Sequence, residues 1–173
     1  MCTLETPLDE TPQDNRPGKP TCLVDADACP VRVRQAIERL ARRYGLRLIY
    51  FVDENHELYP GYGEVRQIAQ GHDAVDYALL GQVRSGDVVV TQDYGLASLV
   101  LAKRGHAIHP SGNRYDQNNI DQLLMERHLA SRARRAGERP QRSRRPSGDQ
   151  KISFEKQLNL LLGQIIQRPE RSD

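Results

Sequence analysis

From residue 21 onward, short apolar runs alternate with amphipathic stretches, and this alternation restricts the fold more than any other feature. TCLVD (21–25) and LRLIYFV (46–52) are too short and too continuously apolar for helices, so they read as buried strands. Between them, beyond Pro30, VRVRQAIERLARRY places Val33, Ile37, Leu40, Ala41 and Tyr44 at helical spacing, and Gly45 suits a helix C-cap. After the loop ENHELYPGYG, residues 64–69 fit a strand or a helix start, and a short strand is preferred. Asp73 is placed to cap a helix DAVDYALLGQV, which Ser85 and Gly86 break before the strand DVVVT. LASLVLAKR, ended by Gly105, predicts a helix, HAIHP a last strand, SGNRYDQN a loop, and about Asn119 to Ala136 a further helix. Such repetition predicts an α/β fold: a parallel sheet sandwiched between helices, because right-handed crossovers lay successive helices against it.

The 173 residues suffice for one domain with a real core. Residues 1–20 are polar and proline-containing and predict a flexible arm before a domain over 21–136. A basic linker over 137–151 then leads to an amphipathic helix, 152–167. Its Ile152, Leu158, Leu161, Leu162, Ile165 and Ile166 must be covered by the domain or by a second subunit, as in a homodimer. No apolar run approaches the roughly 20 residues that span a bilayer, and the polar start lacks the layout of a signal peptide, so a soluble cytoplasmic protein with no membrane partner is expected. Cys2, Cys22 and Cys29 form an odd set without a CxxC pair, which argues against a disulfide framework or a zinc ribbon.

The net charge of +2 is unevenly spread. Arg and Lys dominate the stretch from Arg127 to Lys151, where residues such as Arg142, Arg144 and Arg145 can neutralise phosphates and give sequence-independent affinity for nucleic acid. The same composition also suits a solubilising charge run, and both readings stay open.

Ligands of open α/β sheets bind beyond the carboxyl ends of the strands. Asp25 closes the first strand, Asp27 follows in its loop, Asp93 lies just past DVVVT, and Asp76 sits one turn into the preceding helix. Singly, each suits a cap or a loop hydrogen bond. Brought to one edge, they repel unless a cation compensates, and their hard oxygens favour Mg²⁺ or Mn²⁺ over zinc.

DADACP (25–30), DAVDYAL (73–79), GDVVVTQDYGLA (86–97) and NIDQLL with a nearby Arg (119–127) together resemble the YaiI/YqxD family of uncharacterised bacterial proteins. The resemblance covers about residues 21–165 and implies a PIN-like domain, related to metal-dependent ribonucleases. It carries the metal ligands of that pattern onto Asp25, Asp76 and Asp93, and its Thr-x-Asp onto Thr91 and Asp93. PIN nucleases hold a further acid on a mid-domain helix; the candidates to stand in are Asp27, Glu54, Glu57 and Glu64. The implied chemistry is phosphodiester hydrolysis with Mg²⁺ or Mn²⁺, on RNA ahead of DNA. Asp27 would then hold the ion through water or orient the attacking water, Thr91 would hold a carboxylate or a phosphate oxygen, and Arg32 and Arg114 would position the strand by its phosphates.

Two other readings stand beside this one. LVDADACPV resembles the D-x-D loop of haloacid-dehalogenase-type phosphatases, with Asp25 as nucleophile and Asp27 as acid/base, although Asp73 and Asp76 precede Thr91 where that family's paired acids follow its Thr. The missing middle acid instead fits a non-catalytic nucleic-acid-binding or regulatory module. Cys29 lacks a partnering His, and the five histidines share no metal-ligand spacing, so neither is assigned a role.

Overall fold

The computed structural model describes residues 18–135, apart from residues 28, 70 and 72, and residues 153–167. Strands β1 (Cys22–Asp25), β2 (Leu48–Asp53), β3 (Glu64–Ile68), β4 (Val88–Val90) and β5 (His106–Ile108) run parallel in one sheet. A sixth strand, β6 (Arg114–Tyr115), pairs antiparallel with β5, giving the order β3-β2-β1-β4-β5-β6. Helices α1 (Val31–Tyr44), α2 (Ala74–Gln82), α3 (Tyr94–Ala102), α4 (Ile120–Arg135) and α5 (Ser153–Gln167) complete the α/β architecture.

Alternation along each strand sends successive side chains to opposite faces, and both faces are apolar because both are covered. Cys22 and Val24 of β1, Leu48, Tyr50 and Val52 of β2, and Val88 and Val90 of β4 meet α1 and α5. Leu23, Ile49, Phe51 and Val89 point the other way, against Leu79 of α2, Leu96, Ala97 and Val100 of α3, and Ile120 of α4. Gly45 ends α1 in the left-handed conformation (φ 61°), and its N–H returns to the last carbonyls of the helix.

The C-terminal helix docks on this domain. Phe154, Leu158, Leu161 and Leu162 of α5 are buried against the face that α1 covers. At the rim, Arg39 pairs with Glu155 (2.9 Å), and the Tyr44 hydroxyl donates to Asn159 Oδ1 (2.8 Å).

The sheet departs from the expected loop over SGNRYDQN. There the chain turns back at Gly112 (φ 98°), the His109 N–H donates to the Asn113 carbonyl, and β6 adds to the edge. A two-residue strand is too short to leave a periodic signal. The arm expected over 1–20 lies outside the described residues up to residue 17, as does the linker over 137–151 with Arg142, Arg144 and Arg145. Among the described residues, no helix is long and apolar enough to cross a membrane.

Candidate functional site

In this strand order the chain leaves β1 toward β2 and β3 but leaves β4 toward β5, so the switch point, the edge at which open α/β sheets hold their ligands in a crevice, lies beyond the carboxyl ends of β1 and β4. Asp25 is the last residue of β1 and shares the face of Leu23, on the side of α2, α3 and α4. Thr91, next after β4, joins it there. Its buried Oγ1 donates to Asp25 Oδ2 (3.1 Å) and accepts the Asp93 N–H (3.0 Å). Asp93 is the N-cap of α3: one carboxylate oxygen accepts the Leu96 N–H (2.9 Å), and the other lies 3.1 Å from Arg127 Nη1, which arrives from α4. Asp76 stands in the first turn of α2. Asp73, at the N-cap of that helix, has a left-handed backbone (φ 58°) and makes no capping bond with its side chain.

These carboxylates feel one another. Burial pushes the Asp25 carboxyl from 3.8 up to about 6; the Thr91 hydrogen bond opposes this, and the charges of Asp76, Asp27 and Asp93 add to it. Asp76 is also raised, by burial first and then by Asp93 and Asp73, against a lowering from Arg127. Asp93 goes the other way. Burial would raise it, but the Leu96 N–H and the Arg127 guanidinium together outweigh burial and hold it below the usual range. Arg127 thus serves as a cation to both Asp93 and Asp76.

Hard carboxylate oxygens, one of them crowded by like charge and burial, fit Mg²⁺ or Mn²⁺ in kind. Among the described residues, no three His, Cys, Asp or Glu side chains converge as a ready-made cage. Mg²⁺ in particular takes one or two carboxylates and completes its shell with water and substrate phosphates.

Asp27 Oδ2 accepts the Asp53 N–H (3.0 Å), and Asp27 Oδ1 lies 3.0 Å from Nδ1 of His56, a residue to which the sequence assigned no role. Asp27, one of the candidates for the missing middle acid, has a charge that is felt at Asp25. Glu64 opens β3 at the opposite edge of the sheet and pairs with Arg47 (2.7 Å), while Glu57 accepts from the Tyr59 hydroxyl (3.2 Å). Arg32 is exposed in the first turn of α1, beyond the carboxyl end of β1. Arg114 instead donates to Gln164 of α5 (3.0 Å). Cys29 is buried, and burial pushes its thiol up to about 12, which disqualifies it as a nucleophile near neutral pH. Arg127 falls within a motif quoted above, but its ion pair spans 34 positions and no local spacing announces it.

Residues 23–164 match the family model described as "Uncharacterized BCR, YaiI/YqxD family". The chain belongs to this family. Among its YaiI/YqxD relatives, a UPF0178 protein of Lachnoclostridium phytofermentans is 46% identical over 147 residues, covering 83% of this chain and 97% of the relative. A UPF0178 protein of Ruminiclostridium cellulolyticum is 44% identical over 140 residues, covering 81% and 90%. One of Clostridium acetobutylicum is 50% identical over 113 residues, covering 65% and 75%. No solved structure matches the chain.

Proposed function

We propose that this YaiI/YqxD-family chain is a metal-dependent phosphodiester hydrolase acting on single-stranded nucleic acid, RNA ahead of DNA, at the crevice between β1 and β4. The observation that carries the reading is Asp25. It is a largely buried carboxylate at the switch point of the sheet, tied to Thr91 and raised to about 6 by burial and three neighbouring acids. Holding like charges together costs stability, and strongly perturbed carboxylates collect at functional sites.

Asp25, Asp76 and Asp93 would share a Mg²⁺ or Mn²⁺, no more than two of them directly and the rest through water, since among the described residues no three such groups converge. When bound, the ion supplies Lewis-acid neutralisation of charge at the scissile phosphate. Thr91 fixes the orientation of Asp25 through its hydroxyl and ties it to the Asp93 backbone. Arg127, on the rim at 55% exposure, is free to turn from Asp93 toward a phosphate oxygen, where a guanidinium binds well. Arg32 lies on the same edge as a second phosphate contact. The preference for RNA rests on the likeness of the motifs to PIN ribonucleases.

The test is cleavage of end-labelled single-stranded RNA and DNA by the full chain in Mn²⁺, Mg²⁺ or EDTA. The reading expects metal-dependent cleavage that Asp25→Asn and Asp76→Asn abolish. RNA binding without cleavage in any metal would make the chain a non-catalytic nucleic-acid module. A beryllium fluoride adduct on Asp25 would make it a phosphatase of the aspartyl-phosphate type.

A further inference from the structure

Helix α4 meets the domain along one side. Ile120 is buried, Leu123 and Leu124 pack partly buried against the same apolar cluster as α3, and Arg127 reaches Asp93. At about 100° per residue these positions share one face of the helix. The opposite face carries Asp121, Met125, Leu129 and Arg132, all exposed. Met125 and Leu129 stand one turn apart, with 59% and 56% of their surfaces open. A single exposed leucine on a protein surface is ordinary. What sets this stripe apart is the order of the charges around its apolar pair.

Along the stripe the order is acid, apolar, apolar, base. Asp121 precedes Met125 by about one turn, and Arg132 follows Leu129 by a little less than one. Turned end for end, the stripe complements itself: in an antiparallel pair Met125 of one copy meets Leu129 of the other, and Asp121 meets Arg132. Both pairings have their centre at residues 126–127, so a single two-fold axis makes all of them, as an isologous interface requires. Asp121 and Arg132 also lie on the same flank of the stripe, within about 20° around the helix, and the two-fold keeps them together. Among the described residues neither has an ion-pair partner. A polyanion would be repelled by Asp121 and Glu126 and would gain little from the apolar pair, so the face does not suit nucleic acid.

We propose that α4 pairs antiparallel with α4 of a second copy of this chain, with Met125 and Leu129 at the centre and an Asp121–Arg132 ion pair at each end. The dimer does not depend on the hydrolase reading. Arg127 lies about 160° around the helix from Met125, so it stays beside Asp93 and each copy keeps its own carboxylate site. A helix of 16 residues is about 24 Å long and makes a small interface, so monomer and dimer exchange with concentration.

The experiment is sedimentation velocity on the full chain in reducing buffer, from about 1 μM to about 1 mM. The proposal expects monomer to give way to dimer across that range. Met125→Ser combined with Leu129→Ser should weaken association by about tenfold or more. Asp121→Arg alone and Arg132→Asp alone should each weaken it by about tenfold, because the two-fold repeats each like-charge contact. The two reversals together should return it to within about threefold of the parent, since every pair is again of opposite sign. All four positions are exposed, so thermal melts of the dilute monomers should match the parent. A chain that stays monomeric throughout, a dimer indifferent to the apolar pair, or charge reversals that add instead of rescuing would each overturn the proposal. So would loss of single-stranded RNA binding by the Met125→Ser and Leu129→Ser chain at concentrations where the parent is monomeric, which would make the face a nucleic-acid surface.

Discussion

Asp25→Asn should stabilise the metal-free protein at pH 8 and leave it nearly unchanged at pH 4. In the folded chain Asp25 titrates at about 6 instead of the ordinary 3.8, chiefly because it is buried and then because Asp76, Asp27 and Asp93 surround it. Between those two values the folded state holds more protons than the unfolded state, so stability falls as pH rises through the window. Just over two pH units at about 1.4 kcal/mol each sets a penalty of about 3 kcal/mol above pH 6, with no penalty below the unfolded value. Asn keeps an oxygen for the Thr91 hydroxyl but is itself a polar group in a buried place, so the recovered stability is about 1–3 kcal/mol. For a domain of this size that corresponds to a rise in Tm of about 2–10 °C. Thermal melts in EDTA at pH 4, 6 and 8 measure it. A variant no more stable than the parent at pH 8, or stabilised equally at pH 4, would refute the reasoning. Asp93→Asn is the internal control with the opposite sign. Its carboxyl is held low by Leu96 and Arg127, so its charge stabilises the fold above the unfolded value and that contribution is lost as pH falls.

Three further outcomes follow from particular contacts. Leu158→Ala, at a fully buried position of α5, should cost about 2–5 kcal/mol in urea unfolding; no loss would mean that the helix is not docked in solution. Arg127→Gln should lower the log–log salt slope of single-stranded RNA binding by about 0.7 while changing stability by less than about 1 kcal/mol, because its ion pair is exposed; an unchanged slope would remove it from the phosphate contacts. Replacing Arg142, Arg144 and Arg145 with Gln should flatten the same slope by about two, and the parental slope in that variant would leave the segment a solubilising linker.

What the sequence made legible was whatever is written locally. The continuous apolar runs of β1, β2 and β4 and the helical spacing of α1 gave the α/β fold, and the apolar stripe of α5 required a docking face. The strand-end rule placed Asp25 and Asp93 at the same edge, because it needs only the positions of strand ends. It could not reveal which acids are compensated. Asp93 is held low by the Leu96 N–H of its own helix and by Arg127, which is distant in sequence, whereas among the described residues no cation is felt at Asp25, which stays raised. The contact of His56 with Asp27 has no local signal, because the two residues meet only after β1 and β2 pair. Glu64 is a candidate for the mid-domain acid implied by the PIN resemblance, and the direction of β3 carries it to the end of the sheet away from Asp25.

The central claim is that the carboxylates beyond β1 and β4 bind a divalent ion together with a nucleic-acid phosphate. Its most direct test is isothermal titration of Mn²⁺ into the full chain, alone and in the presence of a single-stranded RNA made uncleavable by phosphorothioate linkages. The account predicts weak binding alone, affinity strengthened about tenfold or more by the RNA, and loss of that coupling in Asp25→Asn. Mn²⁺ affinity that is the same with and without RNA and untouched by Asp25→Asn would contradict it.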